Sequence, residues 1–380
     1  IYTEATALGL RDRNPVVVIP GIMGSRLVDP DSAQSVWGDF NRSYADPSRS
    51  ANRKLIALPM DKRKRLSELT AGSEADGAVG VARPRRMPFA IGAYRDILQT
   101  MGIGSGAPVG RHQLDYGSAQ TFASFEFGYD WRRSLDETAC ELHRFLRRAT
   151  RFVQSVRGNS APVVFDVVAH SMGGLILRYC LRYGSRLLPP DGSLPRLTWA
   201  GAERVARAMI IGTPNAGSIT AIERLVVGLP EVPLVHPGFD PFIVGTMPAL
   251  YQLLPRNRHR PFRSDDNSDV DLFDLSFWKK KGWGLAAPGG DGLLALQLDA
   301  ADNAGQRREV ALDHLAKCLR AADQFHRSID CPAAPPPGLE LQLSVGDGHR
   351  TVAEMAESSG KKKVQATRYA AGDGTVLRSS

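Results

Sequence analysis

Residues 163–174 read VVFDVVAHSMGG, and this stretch decides the fold. The apolar, β-branched run Val163–Val168 predicts a buried strand, and Leu175–Tyr183 predicts the helix that follows it. Between them, AHSMGG has the pattern of a nucleophile elbow, a sharp turn from strand to helix that exposes a serine hydroxyl. Ser171 is therefore predicted to be a nucleophile at the carboxyl edge of a sheet, where α/β proteins bind their ligands.

Further strand and helix patterns surround this turn. Pro15–Pro20 (PVVVIP) predicts a buried strand that ends at a glycine turn, and Val205–Ile211 (VARAMII) predicts another after the elbow helix. Apolar residues at helical spacing predict a helix over 135–156. Strand, helix and strand in this order favour a parallel sheet with crossover helices. The remaining predicted elements are strands at Phe122–Phe127, Leu339–Val345 and Val364–Ala371 and helices at Tyr94–Met101 and near Leu312–Ile329.

The composition is that of a globular protein. The chain has 380 residues, of which 43% are hydrophobic and 23% are charged, and these values argue against wholesale disorder. Its four cysteines form no CxxC pair, and no apolar run approaches the roughly 18 residues that a membrane helix needs. The acidic stretch Asp265–Asp274 lacks the glycine and the final glutamate of an EF-hand, so it is interpreted as a solvated loop. We therefore predict no metal, no cofactor and no disulfide framework.

The net charge is +8, and the basic residues occur in clusters. A basic surface attracts nucleic acid, anionic lipid or acidic substrates. Solvated loops are the first interpretation of the clusters, and transient contact with an anionic membrane or lipid surface is the second. Nucleic acid is not predicted as a partner, because no recognised binding motif accompanies the charge. The clusters are Arg53–Arg65, Arg83–Arg86, Arg256–Arg263, Lys279–Lys281 and Lys361–Lys363.

A serine nucleophile that transfers acyl groups needs two backbone donors at the point where negative charge develops. The elbow supplies one donor, the amide of the residue after the serine, which is Met172. The second donor usually comes from a loop after an early strand, and the turn Gly21–Gly24 fits that place. Its glycines let the backbone approach closely, so we predict the amide of Met23 as the second oxyanion donor.

The acid and the base of such a site follow the serine in chain order, first Asp or Glu and then His. Asp347 and Asp373 each lie between glycines after a predicted late strand, and either fits the acid. None of the eight histidines follows Asp373, so we expect the base beyond Ser380, with His349 as the first internal alternative. His170, next to the serine, is interpreted as structural or as a pocket wall, because neighbours at an elbow point to different sides.

Five motifs in a fixed order carry a family resemblance over nearly the whole chain, from about residue 14 to residue 380. Two of them, GTPNAGS and AHSMGG, occur singly in many lipases, but the ordered set is specific. The set resembles the lecithin:cholesterol acyltransferase family, including its phospholipid:diacylglycerol acyltransferase and bacterial lipase-like members, and SFWKKKGWG at 276–284 resembles the bacterial members. The motifs are PVVVIPGIMGSRL (15–27), FGYDWR (127–132), AHSMGGL (169–175), GTPNAGS (212–218) and GDGTV (372–376).

The resemblance implies an α/β-hydrolase fold, with a mostly parallel sheet flanked by helices and with cap or lid insertions. It implies Ser171 as the nucleophile, Asp373 rather than Asp347 as the acid, and a histidine downstream of the acid. It also implies that the segment after Gly217 forms a lid. Trp37, in VWGDF, resembles an interfacial tryptophan of the family's first insertion. The residues implied for the substrate pocket or lid are Trp37, Tyr129, Asp130 and Trp131.

We expect one α/β-hydrolase domain over residues 1–380, truncated at its C-terminus, with cap insertions at about 31–118 and 219–335. The first residue is Ile1 rather than Met, so a fragment or a processed product is expected, and the absence of a signal peptide carries little weight. Residues 219–255 are rich in Leu, Val, Ile, Pro and Phe, and such a segment can cover an apolar channel as a lid or form plain cap core. A cytoplasmic or membrane-peripheral location is favoured.

The predicted reaction is acyl transfer on a lipid ester through an acyl-serine intermediate. The acyl group then passes to an alcohol, as in an O-acyltransferase, or to water, as in a lipase, phospholipase or esterase. The sequence does not separate these outcomes, because acceptor choice depends on pocket shape and access of water. Two further alternatives stay open: a lipid-binding protein that lacks the base, and an enzyme that deacylates a lipid-linked protein or glycan.

Overall fold

The computed structural model describes residues 14–40, 44–79, 81–82, 91–92, 94, 124–232, 236–256, 259–262, 270–298, 303–357 and 364–380. The predicted helix at Tyr94–Met101 lies outside these residues, apart from Tyr94 itself. The strands of the described residues are β1 (Val16–Ile19), β2 (Ser25–Val28), β3 (Ser35–Trp37), β4 (Glu74–Ala78), β5 (Val81–Ala82), β6 (Ile91–Gly92), β7 (Ser124–Glu126), β8 (Phe165–His170), β9 (Val205–Ile211), β10 (Glu340–Ser344), β11 (His349–Glu357) and β12 (Val364–Gly372). The helices are α1 (Ser50–Ile56), α2 (Leu135–Arg157), α3 (Met172–Tyr183), α4 (Ile219–Val227), α5 (Pro241–Val244), α6 (Pro248–Tyr251), α7 (Leu275–Lys281), α8 (Asp291–Ala295) and α9 (Ala304–Asp330).

The central sheet has five strands in the order β10–β9–β8–β1–β7, and every neighbouring pair is parallel. Strand β1 lies between β8 and β7, so that Val17 is opposite Val167 on one side and Phe125 on the other. This arrangement confirms the predicted α/β class and the parallel sheet. The elbow strand begins two residues later than predicted and continues to His170, directly before the nucleophile.

The helices bury the apolar faces that the sequence pattern predicted. In α2, Leu135, Leu142, Leu146 and Val153 are fully buried, and the spacing of three to seven residues keeps them on one face. Each buried leucine contributes about 2 kcal/mol relative to an exposed one. The helix ends at Gly158, whose φ of 64° is the left-handed conformation of a C-terminal cap.

Two antiparallel units accompany the central sheet. Strands β3, β2 and β4 form a three-stranded sheet that begins immediately after the Gly21–Gly24 turn. Strands β11 and β12 form a hairpin, in which His349 pairs with Gly372. The sequence did not predict β11, because its inward residues Ala353 and Met355 are not the β-branched or aromatic residues typical of a strand.

An ion pair joins the two predicted insertions. The guanidinium of Arg53, which is 2% exposed, binds both carboxylate oxygens of Asp240 at 2.5 and 2.8 Å. The described apolar side chains of residues 219–255 lie mostly in the core, as Ile222, Leu225 and Ile243 do. This burial suits cap core, and the lid and the insertion boundaries stay predictions. No helix in the described ranges is both long and apolar enough to cross a membrane.

Candidate active site

Ser171 lies at the turn between β8 and α3, with a φ of 51° and a ψ of −125°. A residue other than glycine rarely adopts such a positive φ, and the strain persists only where surrounding bonds hold it. The Ser171 amide donates to the Ile211 carbonyl at 2.8 Å, and the Ser171 carbonyl accepts from the Thr213 hydroxyl at 2.8 Å. These bonds fasten the strained turn to the end of β9, as a nucleophile elbow requires.

Close packing explains the small residues after the serine. A Cβ atom on Gly173 would lie 2.6 Å from the Pro20 carbonyl oxygen, so only glycine lets α3 begin against the end of β1. Met172 is the first residue of α3, and its amide has no acceptor within the helix. The amide of Met172 is therefore available as a donor beside the nucleophile.

The Gly21–Gly24 turn lies against the nucleophile. The Gly24 amide donates to the Gly21 carbonyl at 3.0 Å, and Met23 has a φ of 61°. A positive φ at the third residue is the pattern of a type II turn, which usually has glycine there. A Cβ atom on Gly21 would lie 2.8 Å from Ser171 Cβ and 3.3 Å from Ser171 Oγ. The structure thus brings together Ser171, the α3 amide and the turn that contains Met23.

Three of the residues predicted for the pocket or lid hold the backbone of this turn. All three are buried, with at most 7% of the residue exposed. The polar ends of these side chains are bonded to the backbone of the turn or of the residues beside it. Contact of these side chains with substrate stays a prediction. The bonds run from the Trp37 indole to the Met23 carbonyl at 2.9 Å, from the Tyr129 hydroxyl to the Pro20 carbonyl at 2.8 Å, and from the Trp131 indole to the Ser25 carbonyl at 3.2 Å.

Asp130, the fourth predicted pocket residue, forms an ion pair with a buried arginine. Both carboxylate oxygens of Asp130 accept from Arg132, at 2.8 and 2.7 Å, and the Arg132 side chain is 0% exposed. The same guanidinium donates to the carbonyls of Leu55 and Ile56 and to the Ser73 hydroxyl. The sequence did not predict this role of Arg132, because nothing in YDWR distinguishes a buried arginine from an exposed one.

Asp373 lies on the loop after β12, and its carboxylate is oriented by the backbone. Asp373 Oδ1 accepts from the amides of Thr375 and Val376, at 2.8 and 2.7 Å. Asp373 Oδ2 lies 3.2 Å from the position that a Cβ on Gly212 would take, directly after β9. Asp347, in contrast, is exposed and contacts Arg378 at 3.3 Å. Of the two candidate acids, Asp373 is the one that faces the elbow side of the sheet.

His170 and Tyr94 form a polar contact beside the nucleophile. The Tyr94 hydroxyl accepts from the Gly21 amide at 2.8 Å and lies 2.7 Å from His170 Nδ1. One proton is shared between the Tyr94 hydroxyl and His170 Nδ1, and the tautomer of the imidazole decides which of the two atoms donates it. Burial lowers the pKa of His170, and the Asp373 carboxylate acts in the opposite direction. No motif marked Tyr94 as a site residue, because it lies in a stretch interpreted as an insertion.

The other candidate base, His349, lies at the start of β11 and is exposed. Its Cβ is 4.0 Å from the position that a Cβ on Gly374 would take, so this histidine lies beside the loop that carries Asp373. Within the described part of the chain, no histidine is hydrogen-bonded to the Ser171 hydroxyl. The histidine expected beyond Ser380 stays a prediction.

A separate cavity of about 810 Å³ lies between the segment around Arg256 and the C-terminal end of α9. Two ion pairs occur in its wall, Arg256 with Asp330 and Arg327 with Asp323. Its described lining contains none of the predicted site residues. It therefore has no part in the arrangement around Ser171.

Comparisons with known proteins bear on the family resemblance and on the fold. The profile of the family described as lecithin:cholesterol acyltransferase matches residues 114–270. A chain in the crystal structure of the Tle4–Tli4 complex is similar at 17% identity and a TM-score of 0.52, over 86% of this chain and 74% of that chain, and at this identity the likeness shows the fold alone. No curated protein matches the chain. The predicted resemblance is confirmed over residues 114–270, which are similar to the lecithin:cholesterol acyltransferase family, and the chain has an α/β-hydrolase fold.

Proposed function

We propose that this protein transfers acyl groups from a lipid ester through an acyl-enzyme formed on Ser171. The single observation that carries the proposal is the strained elbow of Ser171, fixed against β9 and packed so closely against Gly21 that a Cβ added there would lie 3.3 Å from Ser171 Oγ. The family match supports a lipid-ester acyltransferase or hydrolase as the coarser class. In the reaction, Ser171 Oγ attacks the ester carbonyl, the alcohol leaves, and the acyl-serine is then attacked by an acceptor.

The amides of Met23 and Met172 are the proposed oxyanion donors. Both belong to backbone next to Ser171, and donors of this kind act where charge develops in the tetrahedral intermediate. Loss of one such donor lowers the rate on the order of 10²–10³-fold. The N-terminal end of α3 adds a favourable partial charge at the same place.

Asp373 is the proposed acid, and the proposed base is the histidine that is expected beyond Ser380. The acid holds the imidazole in the tautomer that accepts the serine proton and stabilises the imidazolium that forms. This order of residues is a property of the fold. His170 is the described alternative, because its ring contacts the Tyr94 hydroxyl and is influenced electrostatically by the Asp373 carboxylate.

A fluorophosphonate probe and ester substrates test the nucleophile. Ser171→Ala is expected to abolish labelling and turnover of both water-soluble and micellar esters, whereas the exposed Ser185→Ala is expected to behave as the unsubstituted protein. Turnover that survives in Ser171→Ala contradicts the proposal. If the unsubstituted protein binds lipid but is neither labelled nor active, the alternative of a lipid-binding protein without a base is favoured instead.

The acid is tested by the same substitution at the two Gly-Asp-Gly sites. Asp373→Asn is expected to lower kcat by up to about 10⁴-fold, and Asp347→Asn is expected to have little effect. The reverse result moves the acid to Asp347. A pH profile of His170→Gln then separates the bases: loss of the acidic limb of kcat/KM in this variant assigns the base to His170.

The acceptor is tested by adding a lipid alcohol to the ester assay. An acyltransferase forms a new ester from the added alcohol, whereas a lipase or esterase releases only free fatty acid. The choice between these outcomes depends on how the site excludes water. Release of free fatty acid alone, at every alcohol concentration, rules out the transferase and leaves the hydrolase.

A further inference from the structure

Trp37 is held rigidly with its indole N–H directed at the backbone of the Gly21–Gly24 turn. The indole donates to the Met23 carbonyl at 2.9 Å, and the residue is only 7% exposed. Its ring is surrounded by other rings, so the direction of the N–H is fixed by packing. The ring neighbours, with centroid distances, are Phe40 at 5.0 Å, Trp131 at 5.5 Å, His236 at 5.5 Å and Phe239 at 5.6 Å.

The acceptor of this bond is a strained residue. Met23 has a φ of 61°, a conformation that costs a residue with a Cβ about 1–2 kcal/mol. Backbone in this conformation shifts when the bonds that hold it are removed. A shift of Met23 would move its amide, which under the proposed function is one of the two oxyanion donors.

Bonds on both sides of Met23 hold the turn in place. The Gly21 amide donates to the Tyr94 hydroxyl at 2.8 Å, and the Val79 amide donates to the Gly24 carbonyl at 2.7 Å. The Trp37 indole fixes the carbonyl of Met23 itself, which is the bond closest to the strained torsion. Strained backbone of this kind persists where the surroundings over-determine it.

We infer that Trp37 is a positioning residue for the oxyanion donor, acting through the Met23 carbonyl to keep the Met23 amide directed at the reacting carbonyl. This inference rests on the proposed function. It gives the buried tryptophan a role different from contact with substrate or with a lipid surface. A geometric shift of about 1 Å at a reacting centre costs on the order of 10²-fold in rate, so the loss of this bond is a measurable effect.

The test compares Trp37→Phe with Trp278→Phe. Each change keeps a buried aromatic ring and removes one indole bond to a backbone carbonyl, since Trp278 is 0% exposed and donates to Leu272 at 2.8 Å. Trp37→Phe is expected to lower kcat roughly ten- to a hundred-fold with KM unchanged. Its affinity for a boronic acid that mimics the tetrahedral intermediate is expected to fall by the same factor. Trp278→Phe is expected to lose similar stability but no kcat.

An ether analogue of the substrate, which has no carbonyl, separates positioning from general damage. Its affinity is expected to be equal in Trp37→Phe and the unsubstituted protein, because it develops no charge at the oxyanion site. The inference is overturned if kcat and boronic acid affinity are unchanged in Trp37→Phe, if ether affinity falls equally, or if Trp278→Phe loses as much kcat.

A second measurement needs no variant. The chain has five tryptophans, so an amide-resolved nitrogen–proton spectrum contains a small set of indole signals. The Trp37 signal is expected to shift when the boronic acid binds and to stay in place with the ether analogue, and an unshifted signal overturns the inference. Failure of the proposed function is distinguishable, because the unsubstituted protein is then neither labelled at Ser171 nor active.

Discussion

Replacing Arg132 with methionine is expected to destabilise the protein far more than breaking a surface ion pair. The Arg132 side chain is 0% exposed and that of Asp130 is 11% exposed, so the change leaves a carboxylate nearly buried without its charge partner. It also removes the donors to the carbonyls of Leu55 and Ile56. Breaking a buried pair by removing one partner costs about 3–5 kcal/mol.

Arg207→Met is the matched comparison, because Arg207 pairs with Asp166 but is 59% exposed. Exposed pairs contribute about 0–1 kcal/mol. Urea titration gives the loss of unfolding free energy in each variant, provided that the m-value stays constant. Equal losses in the two variants refute the reasoning, as does a loss below about 1 kcal/mol for Arg132→Met. Adding Asp130→Asn to Arg132→Met is expected to recover part of the loss, because the uncompensated charge is removed.

Two further outcomes are expected. Gly173→Ala should abolish fluorophosphonate labelling, because the new Cβ lies 2.6 Å from the Pro20 carbonyl oxygen. Gly292→Ala in α8 is the control, since its new Cβ meets nothing within 4 Å and the variant should label normally. Equal labelling of the two variants contradicts the packing argument. Burial lowers the pKa of His314 to about 4 and that of His326 to about 3, from 6.5 in the unfolded chain. The unfolded state therefore binds more protons between these values, so the free energy of unfolding should fall by about 2 kcal/mol per histidine from pH 8 to pH 5. Urea titrations at the two pH values check this, and His326→Gln should make the pH dependence shallower; an equally steep dependence in that variant contradicts it.

The local parts of the site were predictable because their signals are local. The elbow, its strand and its helix lie within residues 165–183, and β-branched periodicity followed by small residues identifies them together. The start of α3 lies three residues earlier than predicted, at Met172 rather than Leu175, and that of α9 lies about eight residues earlier, at Ala304 rather than near Leu312. Capping explains the second shift: Asn303 and Gln306 form a capping box that periodicity alone does not reveal.

The long-range parts were not predictable, because their partners are far apart in sequence. The contact of Tyr94 with Gly21 joins residues 73 positions apart, and that of Arg53 with Asp240 joins residues 187 positions apart. Neither pair carries a motif. Tyr129 and Trp131 were recognised as special by the YDWR match, but their bonds to the turn after β1 depend on β1 and β7 being neighbours in the sheet.

Under the proposed function, the bonds to the Gly21–Gly24 turn make the first predicted insertion a support of the oxyanion donor rather than a cover over the site. Trp37 comes from β3 and holds Met23, and Val79, at the end of β4, holds Gly24. The bonds to the backbone of Ser171 come from Ile211 at the end of β9 and from Thr213, outside this insertion. Replacing residues 31–78 with a short linker is therefore expected to leave the strained Ser171 turn folded but to lower kcat, since the second oxyanion donor loses its supports. Loss of substrate affinity with kcat intact would instead assign the insertion to substrate binding.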